Sequence, residues 1–444
     1  MRYITAMAES GPFHDVAAEK LNAPALQALQ AQKLSALLSS VATSNKFYKA
    51  KFKAAGIKSA DLPKLTLSDL PFTDKSELTR DQQKQPPFGS NLTYPLADYC
   101  RYHQTSGSAG GAIRWLDTAE SWEWMLKNWS FVLNAAGVKP KDRICFAFSF
   151  GPFLGFWTAF EAAARFGALC MPAGGMSTSA RLRFMLDNGI TVVCCTPTYA
   201  LRMAETAAEE NINIALSPVR LLIVAGEPGG SVPHTRGRIE ETWGARCFDH
   251  YGMTETGPAA FECDKSRGRM HVIESEFIAE SLKPGTDERA APGDTGELVL
   301  TNLGRTASPL LRYRTGDLVR MNRLAPCACG RSFLSLEDGI LGRADDMLVV
   351  RGVNIYPSAV DEVLRRFAAI GEYRVEIGSV RSMTELKLAI EAGPVERESA
   401  ATAKKVAIEL ERVLGLRIAV ETAAPGTLPR FEMKARRWVR LKDV

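Results

Sequence analysis

The chain lacks the features that mark membrane and nucleic-acid proteins. Its 444 residues contain no long apolar run, no block of one charge, no internal repeat and no low-complexity tract. The longest uncharged apolar stretch, Ile144 to Phe160, is interrupted by Gly151-Pro152 and Gly155 and bracketed by Arg143 and Glu161. That is short and broken for a membrane span; it reads as a buried strand, a turn and the start of a helix. A net charge of +5, without Lys/Arg clusters interleaved with aromatics, falls well short of the basic bias of a nucleic-acid binder. Glu9, His14, Asp15, Glu19 and Lys20 leave no room for the apolar core of a signal peptide. The nine cysteines are odd in number, and Cys145, Cys170, Cys194 and Cys195 sit in apolar runs, where a reduced thiol behaves as a small hydrophobe. A cytoplasmic protein acting on small molecules is expected.

What is present is globular composition, 46% hydrophobic and 24% charged. The length exceeds one ordinary core, so two or more domains are expected. Leu26, Leu29, Leu34, Leu37 and Leu38 repeat near the helical period and predict helices between residues 16 and 57. In Leu70-Pro71-Phe72-Thr73-Asp74-Lys75-Ser76-Glu77-Leu78, a Thr followed by acidic residues signals a helix start. From Arg143 onward, apolar runs at 144–148, 168–171, 191–195 and 221–225 alternate with helical patterns at 158–166, 180–188 and 198–210. Such alternation predicts an α/β sheet with helical crossovers. Strands over 297–301 and 318–321 suggest a more β-rich section. The last hundred or so residues predict a small α+β unit, with strands at 347–350, 374–377 and 386–391 and helices at 358–368 and 402–414. Charged residues separate two apolar runs at Arg343–Asp346, which divides the chain into domains of 1–344 and 345–444.

Several strings carry chemistry. Gln104-Thr105-Ser106-Gly107-Ser108-Ala109-Gly110-Gly111 combines glycines with hydroxyls, and its free N–H groups can wrap a polyphosphate. No Lys follows the second glycine group, so it is not a Walker A loop, and a plain surface loop competes with the phosphate reading. Ala225-Gly226-Glu227-Pro228 follows a buried strand, where open α/β sheets bind ligands, although structural turns are common there. In Asp249-His250-Tyr251-Gly252-Met253-Thr254-Glu255, Tyr251 can stack on adenine and Asp249 can accept from its exocyclic amine. Thr254 can meet a phosphate and Glu255 can hold Mg²⁺; the structural alternative is a loop entering a capped helix. Asp317 offers two acceptor oxygens at the spacing of a ribose diol.

In order and spacing, Tyr251-Gly252-Met253-Thr254-Glu255, Tyr313-Arg314-Thr315-Gly316-Asp317, Gly342-Arg343-Ala344-Asp345-Asp346 and Arg351-Gly352 resemble the adenylate-forming acyl/aryl-CoA ligases. The resemblance is strongest to the phenylacetate-CoA ligase branch and runs from the helical N-terminus to Lys434. It implies a large α/β N-terminal domain of several subdomains with a small mobile α+β C-terminal lid. It also implies ATP, Mg²⁺ and coenzyme A, and an AMP-forming activation of an aromatic carboxylic acid. Thr105, Ser106, Gly107 and Ser108 would form the phosphate loop, and Gly226, Glu227, Pro228, Asp249, Tyr251 and Gly252 the adenine pocket. Thr254 would meet the α-phosphate, Glu255 the Mg²⁺, and Asp317 and Arg343 the ribose. Asp345 would be the hinge, Gly352 would face the CoA channel, and Lys434 in Phe431-Glu432-Met433-Lys434-Ala435-Arg436-Arg437 would be the catalytic lysine. Phe148, Phe153, Trp157 and Ala225, with Phe150 and Phe156, would wall the acyl pocket, although aromatic runs are more often core. Two departures stand out. The family's phosphate loop usually reads Ser-Ser-Gly-Thr-Thr-Gly-Lys-Pro, and Gly111 and Ala112 occupy the Lys-Pro positions; Met433 replaces the glycine before the lysine.

Cys263 and His271 are separated by seven residues, and Cys327-Ala328-Cys329-Gly330 adds two thiols, a Cys₃His set suited to a closed structural Zn²⁺. Four unrelated reduced residues are the competing reading, because the halves are distant in sequence. Other readings of the activity stay open: transfer to a carrier-protein thiol or an amine, a non-catalytic nucleotide-binding regulator, or a metal-organised scaffold. Family members are often homodimers, and that expectation carries over.

Overall fold

The computed structural model describes residues 12–58, 61–62, 65–105, 112–323, 327–346, 348–351, 353–367, 369–380, 383–392, 399–431 and 436–441. The N-terminal section holds α1 (Val16–Glu19), α2 (Ala23–Ser44), α3 (Lys46–Ala54) and α4 (Lys75–Lys84). The Asn22 side chain caps α2 by accepting from Ala25 N–H, and Leu26, Leu34, Leu37, Leu38 and Val41 form its buried face. At α4 the cap is Asp74, one residue later than the Thr73 signal: Asp74 and Glu77 accept from each other's backbone in a capping box. Thr73 cannot cap, because its backbone is already paired, donating to Arg312 O and accepting from Arg314 N.

Next come β1 (Tyr99–Gln104), β2 (Arg114–Thr118), α5 (Ala119–Ala136), β3 (Arg143–Phe146), α6 (Trp157–Phe166) and β4 (Leu169–Pro172). They are followed by α7 (Thr178–Asp187), β5 (Val192–Cys195), α8 (Pro197–Glu209), β6 (Leu221–Val224), α9 (Pro233–Trp243) and β7 (Arg246–Met253). The alternation read from the apolar runs is therefore present, with ends shifted by a residue or two. Strands β4-β3-β5-β6-β7 lie parallel, and the central β5 and β6, buried at every position, are apolar throughout.

The sheet does not end at β7. It continues antiparallel through β8 (Gly257–Cys263), β9 (Ser266–Val272), β10 (Phe277–Leu282), β11 (Thr295–Asn302), β12 (Tyr313–Asn322) and β13 (Ser335–Arg343). The order is β10-β11-β12-β13-β9-β8-β7-β6-β5-β3-β4. Strand β7 is the seam: Arg246 to Asp249 pair parallel with β6, and His250 to Met253 pair antiparallel with β8. The string read above as a nucleotide motif is this seam, and its helix-start alternative is absent because Thr254–Thr256 turn into β8. Strand β12 likewise begins at Tyr313 rather than Leu318, so the whole Tyr313–Asp317 string is strand.

The C-terminal section comprises β14 (Leu348–Val350), β15 (Val353–Ile355), α10 (Pro357–Arg365), β16 (Ile370–Val380), β17 (Met383–Ala392), α11 (Ser399–Leu414), β18 (Ala419–Ala423) and β19 (Trp438–Arg440). Its sheet, β18-β17-β16-β19, closes a core of its own around Val360, Val363, Val375, Leu388, Val406 and Leu410. Among the described residues no helix is long and apolar enough to cross a membrane.

Candidate active site

The carboxyl ends of the parallel strands open beside the seam, and the strings converge there. Gly226 takes a positive φ of 97° directly after β6, a conformation glycine adopts without strain. The next residue, Glu227, accepts from Thr198 N–H at 2.8 Å, which fixes the turn to the start of α8. Asp249 closes the parallel half of β7 and is buried; Ser231 Oγ donates to Oδ2 at 2.6 Å and His250 N–H to Oδ1 at 2.9 Å. Burial pushes this carboxyl up to about 6, against the Ser231 hydrogen bond and the nearby Arg236 guanidinium. Burial pulls His250 down to about 4, so its ring is neutral at pH 7, and Nδ1 donates to Ala260 O at 2.9 Å.

Across the sheet, β12 and β13 bring the second and third strings to the first. Tyr251 Oη donates to Asp317 Oδ2 at 2.6 Å, and burial and the Asp317 charge hold this phenol protonated. Arg343 Nη1 donates to Asp317 Oδ1 at 3.2 Å, while Nε and Nη2 fork onto Asp345 at 2.7 and 3.0 Å. Burial opposes the Arg343 charge, but Asp345 and Asp317 outweigh it; the same guanidinium overcomes burial at Asp345 and lowers that carboxyl. Tyr251, Asp317, Arg343 and Asp345 are thus one hydrogen-bonded chain, gathered from positions up to 94 residues apart in sequence, Tyr251 to Asp345.

Two further groups were not legible in the sequence. Arg305, after β11, forks onto Asp117 of β2 with Nε and Nη2, each bond 2.7 Å, and both side chains are 0% exposed. Its Nη1 donates to the carbonyls of both Thr254 and Glu255 at 2.7 Å, so one guanidinium sets the turn that presents these residues. Lys75, at the start of α4, lies 3.6 Å from Glu255 Oε1. An isolated Arg, Asp or Lys has no sequence signature, which is why spacing did not reveal them.

Thr105 and Ile113 exchange two backbone or hydroxyl hydrogen bonds across the neck of the segment 106–111. Ser106, Gly107, Ser108 and Gly111 lie outside the described residues, as do Gly352, Met433 and Lys434. In the aromatic run, Phe146 and Phe156 are core, whereas Phe148, Phe150, Phe153 and Trp157 are half-buried. Phe148 packs edge-on against Phe153 and Phe156 at 5.4 and 5.1 Å, and Gln104 N–H donates to Pro152 O at 2.6 Å. The aromatic loop is therefore tied to β1, the strand that precedes residue 105. Ala225 packs against the same core.

The four metal-type residues also meet. Hairpin β8–β9 supplies Cys263 and His271, and the pairing of Ser335 with His271 draws the Cys327–Cys329 turn against it. Cys263 Sγ lies 3.7 Å from Cys327 Sγ and 3.3 Å from His271 Nε2, and Cys329 Sγ lies 3.7 Å from the same nitrogen. All four donor atoms fall within 4.8 Å of one another. A tetrahedron with arms of about 2.3 Å to sulfur has edges of about 3.7 Å, so the donor set and spacing fit a closed Cys₃His site.

Against known proteins, the AMP-binding enzyme family matches residues 118–304 and the AMP-binding enzyme C-terminal domain matches residues 352–442. The phenylacetate-coenzyme A ligase of Thermus thermophilus is 30% identical over 440 residues, covering 93% of this chain and 96% of its own. That of Escherichia coli is 30% identical over 437 residues, with 94% and 95% covered. The chain belongs to the AMP-binding enzymes, in the family of the phenylacetate-CoA ligases. This AMP-binding enzyme also superposes on 2-hydroxyisobutyryl-CoA ligase in its postadenylation state with a TM-score of 0.91 at 28% identity, over 98% of this chain and 93% of that one. Against the same ligase in its thioesterification state, with 97% and 92% covered, the TM-score is 0.73.

Because Asp117 takes two of the bonds made by the buried Arg305 guanidinium, Asp117→Asn leaves that charge without its partner and is expected to cost about 3–5 kcal/mol of stability. Urea unfolding of the two proteins measures this, and a loss no larger than that of a surface substitution would contradict the assignment.

Proposed function

We propose that the protein activates an aromatic carboxylic acid with ATP and transfers the acyl group to the thiol of coenzyme A, releasing AMP. The observation that carries this reading is the Tyr251–Asp317–Arg343–Asp345 chain at the seam, beside a turn that presents Thr254 and Glu255. In the first step a carboxylate oxygen bonds to the α-phosphorus, and pyrophosphate leaves with the electron pair of the broken P–O bond. In the second, the thiol sulfur bonds to the acyl carbonyl carbon, the thiol proton is lost, and AMP leaves.

The chain's own residues have distinct parts in this scheme. Asp317 accepts the ribose hydroxyls, with Tyr251 and Arg343 holding its carboxylate in place. Tyr251 offers its ring to adenine, and Asp249 accepts from the adenine amine while Gly226, Glu227, Pro228 and Gly252 shape the pocket around it. Thr254 meets the α-phosphate. Glu255 is the residue that would hold Mg²⁺, which when bound neutralises phosphate charge. Phe148, Phe153, Trp157 and Ala225 wall the acyl pocket. Lys434 stabilises charge developing on the α-phosphate and carboxylate oxygens during adenylation. Residues 345–444 act as a lid turning about Asp345, which removes Lys434 and opens the channel at Gly352 to the thiol. The two superpositions on one ligase, 0.91 and 0.73, support such a reorientation between steps. Cys263, His271, Cys327 and Cys329 would hold a structural Zn²⁺, which with four protein ligands would stabilise the fold and supply no chemistry to the reaction.

With ATP, Mg²⁺ and a panel of benzoates, phenylacetates, cinnamates and fatty acids, AMP and an acyl-CoA are expected with an aromatic acid. Failure of every acid to yield AMP overturns the proposal, and AMP formation that needs a carrier protein or amine instead of CoA redirects its second half. Lys434→Ala is expected to slow adenylation by about 10²–10³-fold or more while sparing thioester formation from supplied acyl-adenylate. Equal loss in both half-reactions would remove its role. Elemental analysis is expected to find one zinc per chain, absent from Cys327→Ser, and that variant is expected to melt at a lower temperature.

A further inference from the structure

Residues 12–21 have no part in the scheme above, yet buried contacts hold them against the cysteine turn. Arg331 closes that turn: its carbonyl accepts from Cys327 N–H at 3.0 Å, and Gly330 N–H donates to Cys327 O at 2.7 Å. The Arg331 side chain reaches the N-terminal segment. Nε donates to Glu19 Oε2 at 2.5 Å, and both side chains are 0% exposed. Nη2 donates to Pro12 O, and the guanidinium lies over the rings of Phe13 and Phe261, 4.5 and 5.1 Å from their centres. The other Glu19 oxygen accepts from His14 N–H at 2.7 Å and Asp15 N–H at 2.8 Å, so the same carboxylate folds the segment on itself. Ser332 adds two bonds, from its N–H to Glu19 O at 3.2 Å and from Oγ to Leu21 O. A Cβ on Gly330 would stand 3.7 Å from Phe13 Cζ and 3.6 Å from Lys20 Cε, so the segment lies directly over the turn.

We propose that residues 12–21 form a clasp on the metal knuckle, in which Glu19, acting through Arg331, positions Cys327 and Cys329 for Zn²⁺ and the bound metal in turn holds the segment down. The inference rests on the structural-zinc reading. The four ligands are not held alike. Cys263 and His271 are buried and fixed by the pairing of β8 with β9 and of Ser335 with His271. Cys327 and Cys329 are half-buried on a turn. Arg331 is the anchor of that turn, and it can stay buried only where a carboxylate meets its charge. Metal and clasp therefore favour one and the same arrangement of residues 327–331. Two events that stabilise one arrangement strengthen each other by the same factor.

The test uses the full zinc-loaded chain. Zinc affinity, measured in buffers of free Zn²⁺ set by a chelator, is expected to fall about tenfold to a hundredfold in Glu19→Gln, which keeps the size of the side chain and removes its charge. Glu372→Gln breaks a buried ion pair with Arg437 in the C-terminal section and is expected to leave zinc affinity at the parent value. A second measurement needs no variant. In the parent protein, trypsin cleavage after the exposed Lys20, followed by mass spectrometry, is expected to be slow with zinc and about tenfold or more faster once zinc is removed. Parent-like zinc affinity in Glu19→Gln, an equal loss in Glu372→Gln, or cleavage after Lys20 that ignores zinc overturns the proposal and leaves the zinc reading standing. A parent protein that binds no zinc overturns that reading, and this inference with it.

Discussion

The site depends on a single buried guanidinium. Arg305 and Asp117 are both removed from water, and taking an ion pair out of water is repaid only when every remaining donor finds a partner. Here the fork onto Asp117 uses two faces of the guanidinium, and the carbonyls of Thr254 and Glu255 use the third. The arrangement therefore joins β2, the turn after β7 and the loop after β11 at one point. None of the three can shift without stranding a buried charge. The turn that offers Thr254 and Glu255 is held through both of its carbonyls by this one side chain.

The second constraint is the seam at β7. The parallel pairing with β6 ends at Asp249 and the antiparallel pairing with β8 begins at His250. Helical crossovers stop there and hairpins begin, so a crevice opens at the strand ends where backbone groups and side chains face a ligand. Asp249 sits at the foot of that crevice, Tyr251 above it, and β12 and β13 lay Asp317 and Arg343 across it. The polar chain from Tyr251 to Asp345 then connects the seam with the first residues of the C-terminal section: Asp317 is a partner of Arg343, and Arg343 holds Asp345.

Much of this was legible in local pattern. The apolar runs 144–148, 191–195 and 221–225 announced buried parallel strands, since a strand covered on both faces is apolar at every position. The order of the strings from Tyr251 to Arg351 announced the family, to which the similarity to the phenylacetate-CoA ligases also assigns the chain. Errors came where a tertiary partner overrode a local signal. Thr73 looked like a helix cap, but β12 had already taken its backbone, and the cap passed to Asp74. The strand expected over 318–321 starts already at Tyr313, because β11 pairs with Tyr313 and Arg314.

By itself, then, the sequence determined the class of fold and the family, since periodicity and the order of short strings are properties of neighbours along the chain. Which charges meet was decided only in three dimensions. Asp117 with Arg305, Lys75 with Glu255, and Cys263 and His271 with Cys327 and Cys329 are pairs and sets drawn from distant segments. Their proximity follows from strand order and register, which bring together side chains that no local preference connects.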